Sequence, residues 1–391
     1  MADSGKHVKE PLIHLTRRMN FSPKYAWIIR TFAFVFSILV CCLVSCILSP
    51  KVDVVFFFKN LFEGAFGSPM LIMTLVRDLA IYLLLALAVT PCFKMKYWNI
   101  GGEGQAMMGA FGTALVISYA AGKMPVWGVI ALSFLAAIIC SVIWAVVPAL
   151  LKAKWNTNET LLTLMFNYIA ICLGAFLIKK VAPSGTGILT FDTGTLFSVG
   201  VGDFWAFLIV GIVMTVVMYI YQKYSKHGYE IAVVGEAPNT ARYIGINSKV
   251  VIIRTLFLCG LISGLVGFML VSIKDASFLS DNTTQSTIAG RGFTAVLISW
   301  LANFHPFAMA LTSFLVVFIT RGANQVGNYA RLGNSYAGMM VGIFFFFIIA
   351  TEFFINFKIH VRAREKAPRQ EPQDPAPQDP GKTEQAKEES V

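Results

Sequence analysis

Seven residues, Asn99-Ile100-Gly101-Gly102-Glu103-Gly104-Gln105, place three glycines, two amides and a carboxylic acid between two long apolar runs, Leu79 to Cys92 and Ala106 to Ala121. A charged side chain at the centre of a spanning helix costs roughly 2.5–3.5 kcal/mol on insertion scales. Backbone broken by glycine is tolerated at that depth only where it is buried in protein or lines a watery cavity. The heptad therefore predicts a discontinuous helix beside a solute pathway, with Asn99, Glu103 and Gln105 as its polar groups. A short cytoplasmic loop is the competing reading, since Lys94 and Lys96 lie just upstream. If the helix runs from Asn99, then Asn99 and Glu103 share one face a turn apart. Glu103 then has two roles open to it: contact with the solute, or pairing with another helix that holds the break open.

A second polar set follows at Asn158-Glu159-Thr160-Leu161-Leu162-Thr163-Leu164-Met165-Phe166-Asn167. Glu159, Thr163 and Asn167 fall at i, i+4 and i+8, a stripe on an otherwise apolar helix that must face other helices or water rather than lipid. Interhelical hydrogen bonding and pathway lining both satisfy that requirement, and Asn158 stands at the head of the stripe. A third segment, His227 to Ile246, reads as a short apolar stretch, a Gly/Pro turn at Gly235-Glu236-Ala237-Pro238, and a small helix. Asn239 is its expected N-cap and Gly245 its expected stop. Such an element, one amphipathic turn that carries Ala241, Arg242 and Ile246 and is held between spans by glycines, suits docking of a cytoplasmic partner. The fourth segment, Gly290 to Pro306, is rich in small residues that permit close helix approach. Its His305 stands apart from any Asp, Glu or Cys at ligand spacing, so no metal site is expected. Nor does the chain hold HExxH, GxSxG or paired carboxylates on one helical face, which argues against an enzyme.

The elements that position these groups are membrane helices. Of 391 residues, 56% are hydrophobic and only 14% charged, with a mean hydropathy of +0.67. Soluble domains are about 25% charged. Ten spans are expected, near 28–49, 70–92, 99–121, 125–150, 159–178, 203–222, 252–272, 287–301, 305–320 and 335–357. A span needs about 20 residues, so the eighth and ninth are short. The net charge of +11 is distributed as a membrane protein distributes it, and nucleic acid is not an expected partner: 22 of the 32 Lys and Arg fall in segments on one side. That side is cytoplasmic and holds both termini. Lys179-Lys180 and Arg321 break the pattern, on loops assigned to the outside.

This gives an all-α polytopic fold: a basic cytoplasmic N-terminus (1–27), a membrane domain (28–357) with an external loop (181–202) and a cytoplasmic loop (224–249), and a disordered cytoplasmic tail (358–391) rich in Pro, Gln, Glu and Lys. The N-terminus does not read as a cleavable signal. Seven cysteines, Cys41, Cys42, Cys46, Cys92, Cys140, Cys172 and Cys259, all sit in apolar runs without a CxxC and read as buried hydrophobes. Gly381-Lys382-Thr383 lacks the upstream glycine of a Walker loop, so no ATP site is expected on this chain. Gly102-Glu103-Gly104 and Gly290-Arg291-Gly292 form two Gly-flanked charged triplets, the trace that internal repeats leave when they meet at a midplane site.

Four stretches in order, WNIGGEGQAMMGAF, NETLLTLMFNYIA, YEIAVVGEAPNTARYIGI and GRGFTAVLISWLANFHPFAM, resemble permease subunits of bacterial ABC importers. The superfamily is that of the branched-chain amino acid, ribose and nucleoside permeases, and the chain is most similar to the longer permease of nucleoside-type systems. The resemblance runs from about 70 to 355. It implies half of a type II importer in the bacterial inner membrane, paired with a second permease as a heterodimer. It also implies a cytoplasmic ATPase carrying ATP and Mg, and a surface lipoprotein that delivers a nucleoside or related purine-bearing solute. Gly235, Glu236, Asn239, Ala241, Arg242, Gly245 and Ile246 match the coupling helix that seats in the ATPase. Asn99, Glu103, Gln105, Asn158, Glu159, Thr163 and Asn167 match segments flanking the path. Ile298-Ser299-Trp300 and Tyr329-Ala330-Arg331 depart from the family pattern. A simple sugar is the neighbouring substrate class, and a proton-coupled transporter using Glu103 or Glu159 is the reading from outside the family.

Overall fold

The computed structural model describes residues 13–17, 23–120, 122–181, 188–190, 202–275, 277–279, 287–333 and 335–361. Thirteen α-helices, one π-helical segment and four short strands occur among them. The chain divides into two units, Arg30–Ala350 and the two ends Met1–Ile29 with Thr351–Val391. In the end unit, β1 (Ile13–Arg17) pairs antiparallel with β4 (Phe357–Val361), placing Ile13 opposite Val361. The tail boundary expected at 358 thus falls inside a strand, where Phe357, Ile359 and Val361 alternate with Lys358 and His360 at the two-residue period of β structure. The tail beyond 361, most of the expected external loop, and Gly381 to Thr383 lie outside the described residues.

Seven described helices are long and apolar enough to cross a membrane. They are α1 (Pro23–Leu48, apolar from Ile28), α3 (Pro69–Lys94), α5 (Val126–Trp155), α6 (Glu159–Val181), α7 (Gly202–Tyr224), α10 (Ser248–Met269) and α12 (Pro306–Ala330). Between them stand α2 (Val54–Phe66), α4 (Gly102–Ala120), α8 (Lys226–Glu236), α9 (Pro238–Tyr243), α11 (Arg291–Leu301) and α13 (Ser335–Asn356). α10 continues into a π-helical segment, Leu270–Asp275. β2 (Ile188–Thr190) pairs with β3 (Ser277–Leu279).

α4 is the centre of the larger unit. Fourteen of its 19 residues are buried, and it packs against α5, α6 and α10. Its polar first turn lowers its hydropathy, which is why it reads weakly as a span although it is enclosed on nearly all sides. Small residues set the approach: a Cβ on Gly109 would lie 2.8 Å from Gly264 Cα of α10, and one on Gly112 would lie 2.7 Å from Ala136 O of α5. In an apolar solvent there is no hydrophobic force to gather helices, so close backbone contact supplies the packing energy.

Three expectations are corrected. α4 begins at Gly102, so Asn99 precedes the helix and does not share a face with Glu103; its side chain instead folds over the N–H of Gly101. The ninth segment, expected to end at 320, continues as a 25-residue helix to Ala330, so Arg321 lies within α12 rather than on an external loop. Asn239 is not the N-cap of α9: Ala237 holds that place, and Pro238, its φ already set for a helix, occupies the first turn. α2 was not expected. Its Gly64 packs on α12, with a Cβ there 2.8 Å from Arg321 O.

Candidate functional site

The glycine break and the α6 stripe form one unit. Asn167 closes it: its Oδ1 accepts from Gly104 N at 2.8 Å and its Nδ2 donates to Ile100 O at 3.0 Å. Thr163 Oγ1 accepts from Ile100 N at 3.3 Å, and Asn99 Oδ1 accepts from Gly101 N at 3.0 Å. Backbone groups freed by an interrupted helix are costly in a water-poor interior unless partnered, and these three side chains partner four of them. The other edge of Asn99 donates to Cys259 Sγ at 3.2 Å, and Cys259 Sγ donates to Gln105 Oε1 at 3.1 Å. Asn99, Gln105, Thr163 and Asn167 are all at most 1% exposed.

The remaining two residues of the stripe sit at its open end. Asn158 is exposed and accepts from Thr160 N and Leu161 N at 3.1 and 3.2 Å, which makes it the cap of α6. Glu159 forms an ion pair with Lys152 of α5 at 2.8 Å.

Glu103 points the other way. Its two carboxylate oxygens accept from Gly290 N at 2.8 Å and Gly292 N at 2.7 Å, at the start of α11. Unpaired N–H groups and the partial positive charge of a helix N-terminus make that end an anion site, and here a buried side chain of the same chain fills it. The approach is tight enough that a Cβ on Gly292 would collide with Glu103 N. The two Gly-flanked charged triplets are thus in direct contact. α11 runs beside α3, where Thr90 Oγ1 and Ser299 Oγ are 2.8 Å apart.

A charge cluster lies one level further along α3. Asp78, 6% exposed, is ion-paired with Arg321 of α12 and lies 3.6 Å from Arg291 of α11. Arg77 on the same turn donates to Thr74 Oγ1 at 3.2 Å. Asp78 was missed because it is a single acid in an apolar run. Arg321 was the available signal: a basic residue that violates the charge rule needs a buried acid as its partner.

The 224–249 segment forms two short helices. Ser225 caps α8, accepting from Gly228 N at 2.9 Å. α8 rests on the end of α3: Ile231, Val234 and Gly235 are buried, and a Cβ on Gly235 would collide with Lys94 O. α9 buries Ala241 and exposes Asn239, Arg242 and Tyr243, the last 91% exposed, and Glu236 at the end of α8 is exposed as well. Gly245 ends it at φ +83°, a left-handed conformation cheap only for glycine. Gly245 and Ile246 border an open cleft of about 540 Å³ shared with Arg242, Asn247, Ser248 and Lys249.

Residues 71–349 match the protein family described as the permease component of the branched-chain amino acid transport system. The chain belongs to this permease family. The match spans the break, the charge cluster and the α8–α9 pair together. With its apolar helices, it makes the chain a multi-pass permease of the plasma membrane, a transport component and not an enzyme. A guanosine ABC transporter permease protein of Bacillus subtilis is 24% identical over 309 residues, covering 77% of this permease and 86% of that protein. A glucose ABC transporter permease protein of Haloferax volcanii is 26% identical over 302 residues, covering 72% and 77%. An uncharacterized protein of Mycoplasma genitalium is 25% identical over 304 residues, covering 72% of this permease but 57% of that protein, so the match spans little more than half that relative's length.

Proposed function

We propose that this permease is the membrane subunit of an ATP-driven importer that moves a nucleoside or related purine-bearing solute into the cell. The observation that carries the reading is the break at Asn99 to Gln105, a polar, buried interruption held by side chains of α6 and by α11 inside a chain of transport-permease family. The guanosine permease of Bacillus subtilis supports the solute class. The glucose permease of Haloferax volcanii supports a second reading, a simple sugar, with the same architecture. Both termini lie in the cytoplasm. A second permease completes the path as a heterodimer, a cytoplasmic ATPase binds ATP and Mg, and a lipoprotein delivers the solute.

In this scheme Asn99, Gln105, Thr163 and Asn167 hold the wall of the path in shape, Glu103 ties α4 to α11, and Asn158 and Glu159 fasten the entry of α6. α9 is the seat for the ATPase, with Arg242, Tyr243 and the turn at Gly245-Ile246 as its contacts. Motion reaches the break through α8, whose Gly235 lies flush against Lys94 at the end of α3, five residues before Asn99. The requirement is that the docked ATPase makes different contacts with α9 in its ATP-bound and ATP-free states. The test is the double variant Arg242→Glu with Gly245→Trp. We expect full-length membrane-inserted protein and loss of guanosine uptake; normal uptake would remove α9 from the coupling role.

A further inference from the structure

Four aromatic rings meet where the α3–α4 and α11–α12 turns come together. Trp98 and Trp300 lie 5.1 Å apart, centroid to centroid; Phe93 is 5.9 Å from Trp98 and 6.2 Å from Trp300, and Phe304 is 6.4 Å from both Phe93 and Trp300. Phe93 is buried as a backing, while Trp98 and Trp300 are 45% and 47% exposed. The turns that carry the rings are unusual. Lys96, Asn303 and Phe304 have φ of 58°, 49° and 60°, left-handed conformations that are rare for a residue as bulky as phenylalanine. Backbone hydrogen bonds fix them, Phe304 N to Ser299 O and Tyr97 N to Cys92 O, both at 3.0 Å. Both bonds are the closures of Schellman turns, so the ends of α3 and α11 themselves set where the rings stand.

The placement is equally specific. Trp98 is the residue before Asn99, at the lip of the break. Trp300 ends a row on α11, Phe293, Leu297 and Trp300, that stays exposed along the helix from its Glu103-bound N-terminus. We propose that Trp98 and Trp300 form a stacking platform for the flat ring system of the solute at the cytoplasmic mouth of the path. The inference rests on the nucleoside reading and adds the residues that recognise the base. Stacking suits a transporter because it needs no directional hydrogen bond and accepts any base through its π-face. Phe93 backs both indoles and Phe304 backs Trp300, with the two indole planes inclined at 46°, so little ordering is needed when a ring arrives on one of them. These four rings pack on one another beside the break.

The test uses the full chain in nanodiscs of zwitterionic or anionic lipid, with guanosine and ribose as probes, and guanosine uptake by cells carrying the whole importer. Saturable quenching of tryptophan fluorescence by guanosine, absent with ribose and absent in Trp98→Leu/Trp300→Leu, supports the platform. The same variant should lose roughly tenfold in guanosine affinity, about one base–aromatic stack, while Trp98→Phe/Trp300→Phe stays within a few-fold of wild type. Normal uptake by the leucine variant, equal quenching by ribose, or a signal that follows anionic lipid and ignores guanosine would overturn it. Quenching by guanosine without guanosine uptake in the wild type would remove the nucleoside reading and leave the platform standing.

Discussion

Glu103 shows what a single buried side chain contributes here. Its carboxylate takes two N–H groups at the start of α11, and both oxygens are engaged. Hydrogen bonds to a charged group contribute about 1.5–3 kcal/mol each. Glu103→Gln keeps one acceptor and offers an N–H where a second acceptor is needed, so we expect a loss of about 2 kcal/mol, read as a lower melting temperature of the detergent-solubilised chain. Asn167 gives a sharper contrast, because it accepts at Gly104 and donates at Ile100. Asn167→Asp sets an acceptor against the Ile100 carbonyl and buries a charge, and we expect it to destabilise more than Asn167→Ala in the same melt. Equal effects of Asp and Ala would mean that the break does not depend on the amide's donor. Much of this was legible in the sequence. A carboxylate and four amide or hydroxyl groups in apolar surroundings needed partners, and most of them found these in backbone groups of the break and of the start of α11. What could not be read was the direction of each side chain, since that depends on which helices become neighbours.

Among elements, α3 carries the most consequences. It meets α11 through Thr90 and Ser299, α12 through the Asp78–Arg321 pair, and α8 through the contact between Lys94 and Gly235. Removing one partner of a buried ion pair costs about 3–5 kcal/mol because the other charge is left behind, while removing both can be nearly neutral. Asp78→Asn should therefore lower the melting temperature strongly, and Asp78→Asn with Arg321→Gln should recover part of the loss; simple additivity would show that Asp78 and Arg321 do not act as a pair. At the other end of α3, Gly235→Val should lift α8 from its seat and reduce uptake, whereas Tyr243→Ser should reduce uptake without a change in the melt. The long apolar helices were visible in composition, as was the small loop helix after the Gly/Pro turn, whereas the apolar stretch before that turn was not read as the helix α8. α2 and the full length of α12 were not. Their apolar signals are interrupted by Lys59 and Glu63, which pair with each other on the outer face of α2, and by Arg321, which pairs with Asp78 of α3.

For the whole molecule, the proposed scheme runs through contiguous elements: α9, α8, the end of α3 at the Gly235–Lys94 contact, then Asn99 at the buried break. Family membership fixes the class of device, and its relatives include permeases named for guanosine and for glucose. The solute was the least legible property of the sequence, because the groups that shape the break bind the protein's own backbone and leave recognition to surfaces such as the Trp98–Trp300 pair. The measurement that tests the central claim most directly is purification of the tagged chain in mild detergent, identification of the proteins that accompany it, and an ATPase assay on the purified sample. The account predicts recovery of an ATPase and a second permease, with hydrolysis stimulated by guanosine-loaded lipoprotein and not by glucose-loaded lipoprotein. Recovery of the chain alone, together with guanosine uptake into liposomes driven by a proton gradient, would contradict it.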